Sequence, residues 1–516
     1  MEYLPDVLEN LSHGSPVVYG LLFVTLLAIV GNSYKILRGD AGKYPLAGYS
    51  PQHSFPALRA RLGWFLDGSK YIDEAFEKYP DQIFRLPSLN RLSLVLPAKY
   101  LDEVKDAPER ILSNAHSVSE FFVGEWTGMD YTHFDPYNLD AFKAQYISKL
   151  PPQVEVAAGE ANFAVGKVFS IYEEWTPISL YKHMLPFVLR LTTRTIVGEE
   201  ICRNTTWVES LIGWETGVAI VSTYLRVVPP FLRGVAYLIP EYYRLLKHKR
   251  RMHQVLEPPI KEFLDARKSG NKWSSEEDVK ILLENYAQFL PEHEMTPSKL
   301  AHRLVGSSFG AFHLTAGVVN NCVLDLATHF EEYAPALRQE IDEVLGDSDN
   351  ITNALLVKMW KLDSFTKESL RFHPPHLISC NRKVMQPFQL SSGAALPVGS
   401  HICFPSQAMS MSDEYLPNAR AFDGFRFEKM RLDPTTQDQN GLQFTSASAA
   451  TMHMGGGRQQ CPGRFFGSAV TKICLIKLLR AFDFKLVGEK RPANLMLMDV
   501  DAAHPEAEIM IRSRAY

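Results

Sequence analysis

Three glycines, a lone cysteine and the start of an apolar helix form the stretch of this sequence best equipped for chemistry. It reads Met454-Gly455-Gly456-Gly457-Arg458-Gln459-Gln460-Cys461-Pro462-Gly463-Arg464-Phe465-Phe466, and an apolar run continues through Leu479. Consecutive glycines let a backbone approach a flat ligand closely. Proline suits a first helical turn, so Cys461 is expected at a loop-to-helix junction. Amide groups and the positive end of the helix dipole there favour a thiolate over a thiol. A lone thiolate on a glycine loop suits axial ligation of haem iron, where donation from sulfur promotes O–O cleavage. An isolated Cys-Pro-Gly reads more often as a buried structural cysteine beside a turn.

The elements that would have to position this loop carry their own polar signals. Thr296-Pro297 marks a helix start, with Thr as N-cap and Pro at the first helical position. The pattern then runs without proline to about Phe330, and its middle is Ser308-Phe309-Gly310-Ala311-Phe312-His313-Leu314-Thr315-Ala316-Gly317. Small residues at Gly310 and Ala311 would let a flat ligand or O2 approach the backbone. His313 and Thr315 are polar in apolar surroundings; the plain reading is a satisfied core histidine and a threonine bonded to its own helix carbonyl. Glu368-Ser369-Leu370-Arg371 places a carboxylate and a guanidinium on one helix face. Alone, such a pair is a surface ion pair worth about a few tenths of a kcal/mol.

Together these stretches resemble the cytochromes P450. The glycine–cysteine segment is similar to the family's haem-binding loop, and residues 308–317 to its oxygen-binding central helix, especially in the filamentous-fungal branch, where a histidine often replaces the usual acid. Glu368 and Arg371 match the family's E-x-x-R pair. Phe422-Asp423-Gly424-Phe425-Arg426-Phe427 resembles the segment whose arginine completes a buried Glu–Arg–Arg network. The resemblance spans roughly residues 55–510 and is strongest over the last third. It implies a mainly α fold with small β-sheets, haem b held by Cys461 as iron ligand, and contacts to the cofactor from Gly457, Arg458, Gln459 and Gly463. It further implies His313 and Thr315 on the distal proton path, and Glu368, Arg371 and Arg426 as a structural network.

Three positions depart from the family pattern. Met454 stands seven residues before the cysteine, where an aromatic is usual, and Gln459 stands two before, where Arg or His usually pairs with a haem propionate. Gln459 can donate a hydrogen bond but brings no charge. Arg458 is one substitute for that charge. Arg382, in the strand-like run Cys380-Asn381-Arg382-Lys383-Val384, is another and is the candidate propionate partner. Leu314 falls where the family's threonine delivers protons to bound dioxygen. The implied activity is a monooxygenase that inserts one oxygen atom from O2 into a lipophilic substrate, with terpenoid-type secondary metabolites as the class. Electrons would come from NADPH through a reductase in the same membrane, since the chain has no convincing nucleotide-binding fingerprint. The alternative that Leu314 raises is a haem-thiolate isomerase or dehydratase needing no reductase; a non-catalytic haem-binding protein is a third reading.

Composition sets the remaining bounds. The chain has 516 residues, 46% hydrophobic and 22% charged, with net charge −4, which gives no reason to expect nucleic acid as a partner. Six scattered cysteines without a C-x-x-C pair fit reduced thiols facing the cytosol. Residues 15–34 carry no charge, and about 20 apolar residues suffice to cross a bilayer as a helix. Glu2, Asp6 and Glu9 precede this run while Lys35, Arg38 and Lys43 follow it. The positive-inside rule then leaves a short lumenal tail (1–14), a transmembrane anchor (15–34), a turn-rich linker (35–54) and a cytosolic catalytic domain (55–516). The expected location is the endoplasmic reticulum membrane, with a single pass. A cleaved signal peptide is the rival reading, but the basic n-region and small-residue cleavage site are missing. Further along, residues 140–290 read as successive helices broken at Val228-Pro229-Pro230-Phe231, and Leu390 to Gly399 reads as a hairpin with a glycine turn.

Overall fold

The computed structural model describes residues 43–88, 91–271 and 277–514. The expected tail and anchor lie outside the described residues, as does the linker up to residue 42. Among the described residues no helix is long and apolar enough to cross a membrane. The body is mainly helical with four small sheets, as expected from the sequence.

Seven helices position the site, and we label these alone. They are α1 Asn114–Phe121, α2 Leu180–Val197, α3 Thr205–Val227, α4 Pro240–Lys268, α5 Pro297–Thr328, α6 Trp360–Phe372 and α7 Arg464–Ala481. Helix α5 is the axle. Thr296 caps it by accepting from the Lys299 amide, Pro297 fills its first turn, and 32 residues follow. At 1.5 Å per residue it is about 48 Å long, enough to cross the whole body. It packs against α2, α4, α6 and α7, so much of its length is buried on most sides, polar Arg303, Asn320, Asn321 and Asp325 included. The Pro229-Pro230 break separates α3 from α4 as expected, with a 3-10 segment at Pro230–Leu238 between them. Helix α4, by contrast, runs straight through Pro258 and Pro259.

The largest sheet has five strands: β1 Phe84–Leu86, β2 Ser93–Val95, β3 Leu112–Ser113, β4 Ser379–Val384 and β5 His401–Phe404. Their spatial order is β1-β2-β5-β4-β3, with β2 and β5 parallel and the other pairs antiparallel. Strand β3 runs directly into α1, and β4 carries Arg382. The expected hairpin forms with Phe388–Gln389 paired to Ala395–Leu396 and Gly393 at φ +83° in the turn. Its first strand therefore begins upstream of Leu390. Leu497 to Val500 closes a second small hairpin, whose Asp499 carbonyl accepts from the Leu377 amide at 2.8 Å, just before β4.

Candidate active site

The loop before α7 is shaped by its glycines. Gly457 has φ +66°, and a Cβ there would lie 2.3 Å from the Lys105 carbonyl oxygen, so both conformation and packing demand glycine. A Cβ on Gly463 would meet nothing within 4 Å. That residue faces open space. The Cys461 amide donates to the Met454 carbonyl at 2.9 Å, which turns the loop back on itself beneath the sulfur. Of the six cysteines Cys461 alone is exposed, and no disulfide forms. Solvent reaches its side chain, although protein atoms crowd round it.

That crowding corrects one expectation. Burial pushes the Cys461 thiol up, and the amides of Gly463 and Arg464 with the Arg464 guanidinium only partly offset it. The free side chain is therefore a thiol; a coordinated metal is what would remove its proton. A second correction concerns Gln459. Its amide nitrogen donates to the Ala107 and Leu112 carbonyls at 3.0 and 2.9 Å, and its oxygen accepts from the Asn114 amide at 3.0 Å. All of this side chain's bonds clamp the loop to the β3–α1 corner, which leaves nothing for a propionate. Arg458 points to solvent, and only its backbone amide is engaged, with Asp106 at 3.1 Å.

Arg382 stands differently. It is 1% exposed, and its Nη1 donates to the Asn381 carbonyl at 2.9 Å. Its Nε and Nη2 are buried with no partner among the described residues. An orphaned guanidinium in the interior needs an anion, and a haem propionate is one that fits. Cys380, two residues before Arg382, lies 3.6 Å from where a Cβ on Gly456 would be, so β4 lies against the cysteine loop.

The middle of α5 has one open face. Gly310 and Leu314 are exposed in an otherwise buried helix, and neither Gly310 nor Gly317 would meet any atom with an added Cβ. Leu314 is 43% exposed, an apolar side chain left open to solvent. Thr315 turns elsewhere. Its hydroxyl donates to the Ala311 carbonyl at 2.8 Å and lies 3.7 Å from the place of a Cβ on Gly467 of α7. Its proton is thus held by its own helix, the plainer of the two readings offered by the sequence. His313 faces α3, where Nδ1 bonds Glu215, and its ring stacks on Phe309 at 5.2 Å between centroids. Burial lowers the His313 pKa, but the Glu215 charge and hydrogen bond raise it by more, and the net shift is upward. Glu215 escaped the sequence reading. The available signal was an isolated carboxylate in the apolar run Ile212-Gly213-Trp214-Glu215-Thr216-Gly217-Val218.

Glu368, Arg371 and Arg426 are brought together behind the loop. Arg371 Nε and Nη2 donate to the two Glu368 oxygens at 2.8 and 2.7 Å, and Arg426 Nε donates to Oε1 at 3.1 Å. The remaining guanidinium donors reach carbonyls of Ser410, Ala419, Pro417, Asn418 and Ala421. Glu368 and Arg371 are both 0% exposed. Two buried lysines of this region also escaped the sequence reading. Lys367 donates to the Gln443 and Ser446 carbonyls at 2.7 and 3.2 Å, and Lys472 pairs with Asp363 at 2.5 Å. Both brace the segment that leads into the glycine loop.

A family model described as Cytochrome P450 matches residues 145–511. The chain belongs to the cytochrome P450 family. It is 30% identical over 452 residues to a cytochrome P450 monooxygenase, AN1598, of Emericella nidulans, covering 86% of this chain and 83% of that one. It is 30% identical over 481 residues to ent-kaurene oxidase P450-4 of Gibberella fujikuroi, covering 92% and 93%. The cytochrome P450 monooxygenase AtmP of Aspergillus flavus is 29% identical over 528 residues, covering 100% of this chain and 99% of that one. This P450 is therefore an enzyme of the monooxygenase kind, and its family is built on haem with a thiolate ligand. The exposed Cys461, the unmatched Arg382 and the open face of α5 suit that group.

Proposed function

We propose that this P450 is a membrane-anchored monooxygenase that hydroxylates or epoxidises a lipophilic secondary metabolite of terpenoid type. The single observation that carries the reading is the exposed Cys461 on its glycine loop, within a chain of P450 sequence from end to end. Relatives named as ent-kaurene oxidases support the terpenoid class. When bound, haem supplies the oxygen-activating redox chemistry. Cys461 is its ligand and Arg382 its propionate partner in this reading. His313 and Glu215 hold an acid–base pair beside the open face of α5, where Leu314 offers no hydroxyl. Residues 15–34 anchor the chain in the endoplasmic reticulum membrane with the body in the cytosol, and an NADPH-dependent reductase there supplies the electrons.

Leu314 favours a second reading, rearrangement or dehydration without external electrons, because the usual proton-delivering hydroxyl is missing. One experiment tests both readings. The purified holoenzyme, reduced and exposed to carbon monoxide, is expected to show the red-shifted Soret band of thiolate ligation, and Cys461→Ser to abolish it. Turnover is expected only with reductase and NADPH. Product from the enzyme alone would replace the first reading with the second.

A further inference from the structure

A cavity over the mouth of the five-stranded sheet collects charge that the proposed oxygenation does not use. Arg91 stands at its wall just before β2, Glu120 comes from α1, and Arg226 comes from the last turn of α3. Asp499 comes from the small hairpin, Ile378 from the approach to β4, and Trp64 from the helix Pro56–Leu66. Six separate parts of the fold thus converge on one small space.

The two carboxylates there have partners. Glu120 bonds Lys383 and accepts from His401 Nε2 at 2.8 Å. Asp499 lies 3.5 Å from His376 Nδ1. The two guanidiniums have no carboxylate of their own, and both share the charge of Asp499. Arg91 reaches only the His401 ring, at 3.4 Å, and Arg226 only the Thr223 hydroxyl, at 3.1 Å. Neither forms an ion pair among the described residues. Arg226 Nε is buried with no hydrogen-bond partner among the described residues, and its guanidinium lies 4.2 Å over the Phe121 ring. Three cations, Arg91, Arg226 and Lys383, therefore face two carboxylates. One negative charge is missing from a partly buried cavity, where an unmatched cation is costly.

A line of packed rings leads from the cavity's Arg226 toward the open face of α5. Phe121 meets His376 and Phe122 edge-on at 5.5 and 5.1 Å, and Phe122 meets Phe309 at 5.5 Å, one residue before the open Gly310. From Ile378 the chain runs along β4 to Arg382, at most about 13 Å for four residues. A molecule with one end at Arg226 and its body along this aromatic wall would reach the open face of α5.

We propose that the substrate carries a single carboxylate, held by Arg91 and Arg226, with its apolar body directed toward the open face of α5. This deepens the monooxygenase reading and rests on it. Arginine forks match a carboxylate in two-point geometry, and Trp64, Ile378, Leu86 and Met498 provide the apolar surround. The substrate class is then a lipophilic acid rather than a hydrocarbon, and the step before this enzyme's must leave a free carboxylate, by hydrolysis of an ester or thioester or by oxidation.

The test uses full-length holoenzyme and equilibrium dialysis, a readout independent of turnover. The probes are abietic acid and dodecanoic acid, each against its methyl ester. At least one acid is expected to bind tenfold or more tightly than its ester. Arg226→Leu and Arg91→Gln are each expected to remove that preference, while Arg226→Lys retains part of it. Haem content and the carbon monoxide band of every variant separate a lost subsite from a lost fold. If neither acid outbinds its ester, or if the preference survives in both Arg226→Leu and Arg91→Gln, the inference falls. A normal carbon monoxide band in that event leaves the monooxygenase reading standing.

Discussion

Removing the Glu368 carboxylate is the perturbation whose size the structure sets most directly. The side chain is fully buried and accepts four hydrogen bonds, two from Arg371, one from Arg426 and one from the Asp423 amide at 3.1 Å. Glu368→Ala leaves two guanidinium groups in the interior without their anion, a loss of about 3–5 kcal/mol. Unfolding entropy of about 2.1 cal/mol/K per residue amounts to ~1.1 kcal/mol/K over 516 residues, so Tm should fall by about 3–5 °C. The Arg371 and Arg426 donors also hold the carbonyls of residues 410–421, so the segment leading toward the cysteine loop should loosen and haem retention should drop sharply. The assay is haem per protein after gel filtration, with thermal scans at one fixed rate. Glu368→Gln keeps the volume but not the charge, and should be nearly as harmful as Ala. Arg426→Ala should cost less in the Glu368→Ala background than in the wild type, since one unmatched cation is then removed. Additivity of the two changes to within about 0.5 kcal/mol would refute the network argument. So would a Glu368→Ala enzyme with full haem content and an unchanged Tm.

The remaining expectations are briefer. The His313–Glu215 pair raises the His313 pKa in the folded state, so its stabilisation is complete below about pH 6.5 and fades as pH rises through the raised value. Thermal scans of wild type and Glu215→Gln should therefore differ most in acid and converge in alkali; a gap that widens with pH would contradict the pairing. Because the Thr315 hydroxyl is bonded to the Ala311 carbonyl, Thr315→Val should leave the ratio of product to NADPH nearly unchanged. His313→Ala should lower that ratio severalfold, and the reverse pattern would return the proton path to Thr315. Protease added to sealed microsomes should digest the body and spare only a short N-terminal fragment; a protected full-length body would overturn the proposed topology.

Local signals made much of this enzyme legible from its residues. Thr296-Pro297 announced α5 because an N-cap and a first-turn proline act within one turn of chain. Pro229-Pro230 separated α3 from α4 because two missing amides weaken any helix there. The glycine–cysteine loop, Glu368 with Arg371, and Arg426 could be named because each role goes with a short motif. Other features depend on what lies across the fold. Glu215 is ninety-eight residues from His313 in sequence, and only the packing of α3 against α5 joins them. Gln459 looked free for a cofactor until the β3–α1 corner, some 350 residues away, took all its hydrogen bonds. Thr315 and Leu314 are neighbours in sequence, yet a turn of about 100° per residue sends one toward α7 and leaves the other exposed. Helix α4 keeps its course through Pro258-Pro259, against the local preference of proline, because Leu256, Ile260 and Phe263 are buried on either side of the pair. The Cys461 pKa followed the same division. The sequence determined the amides beside the sulfur, and the tertiary structure decided the burial that outweighs them.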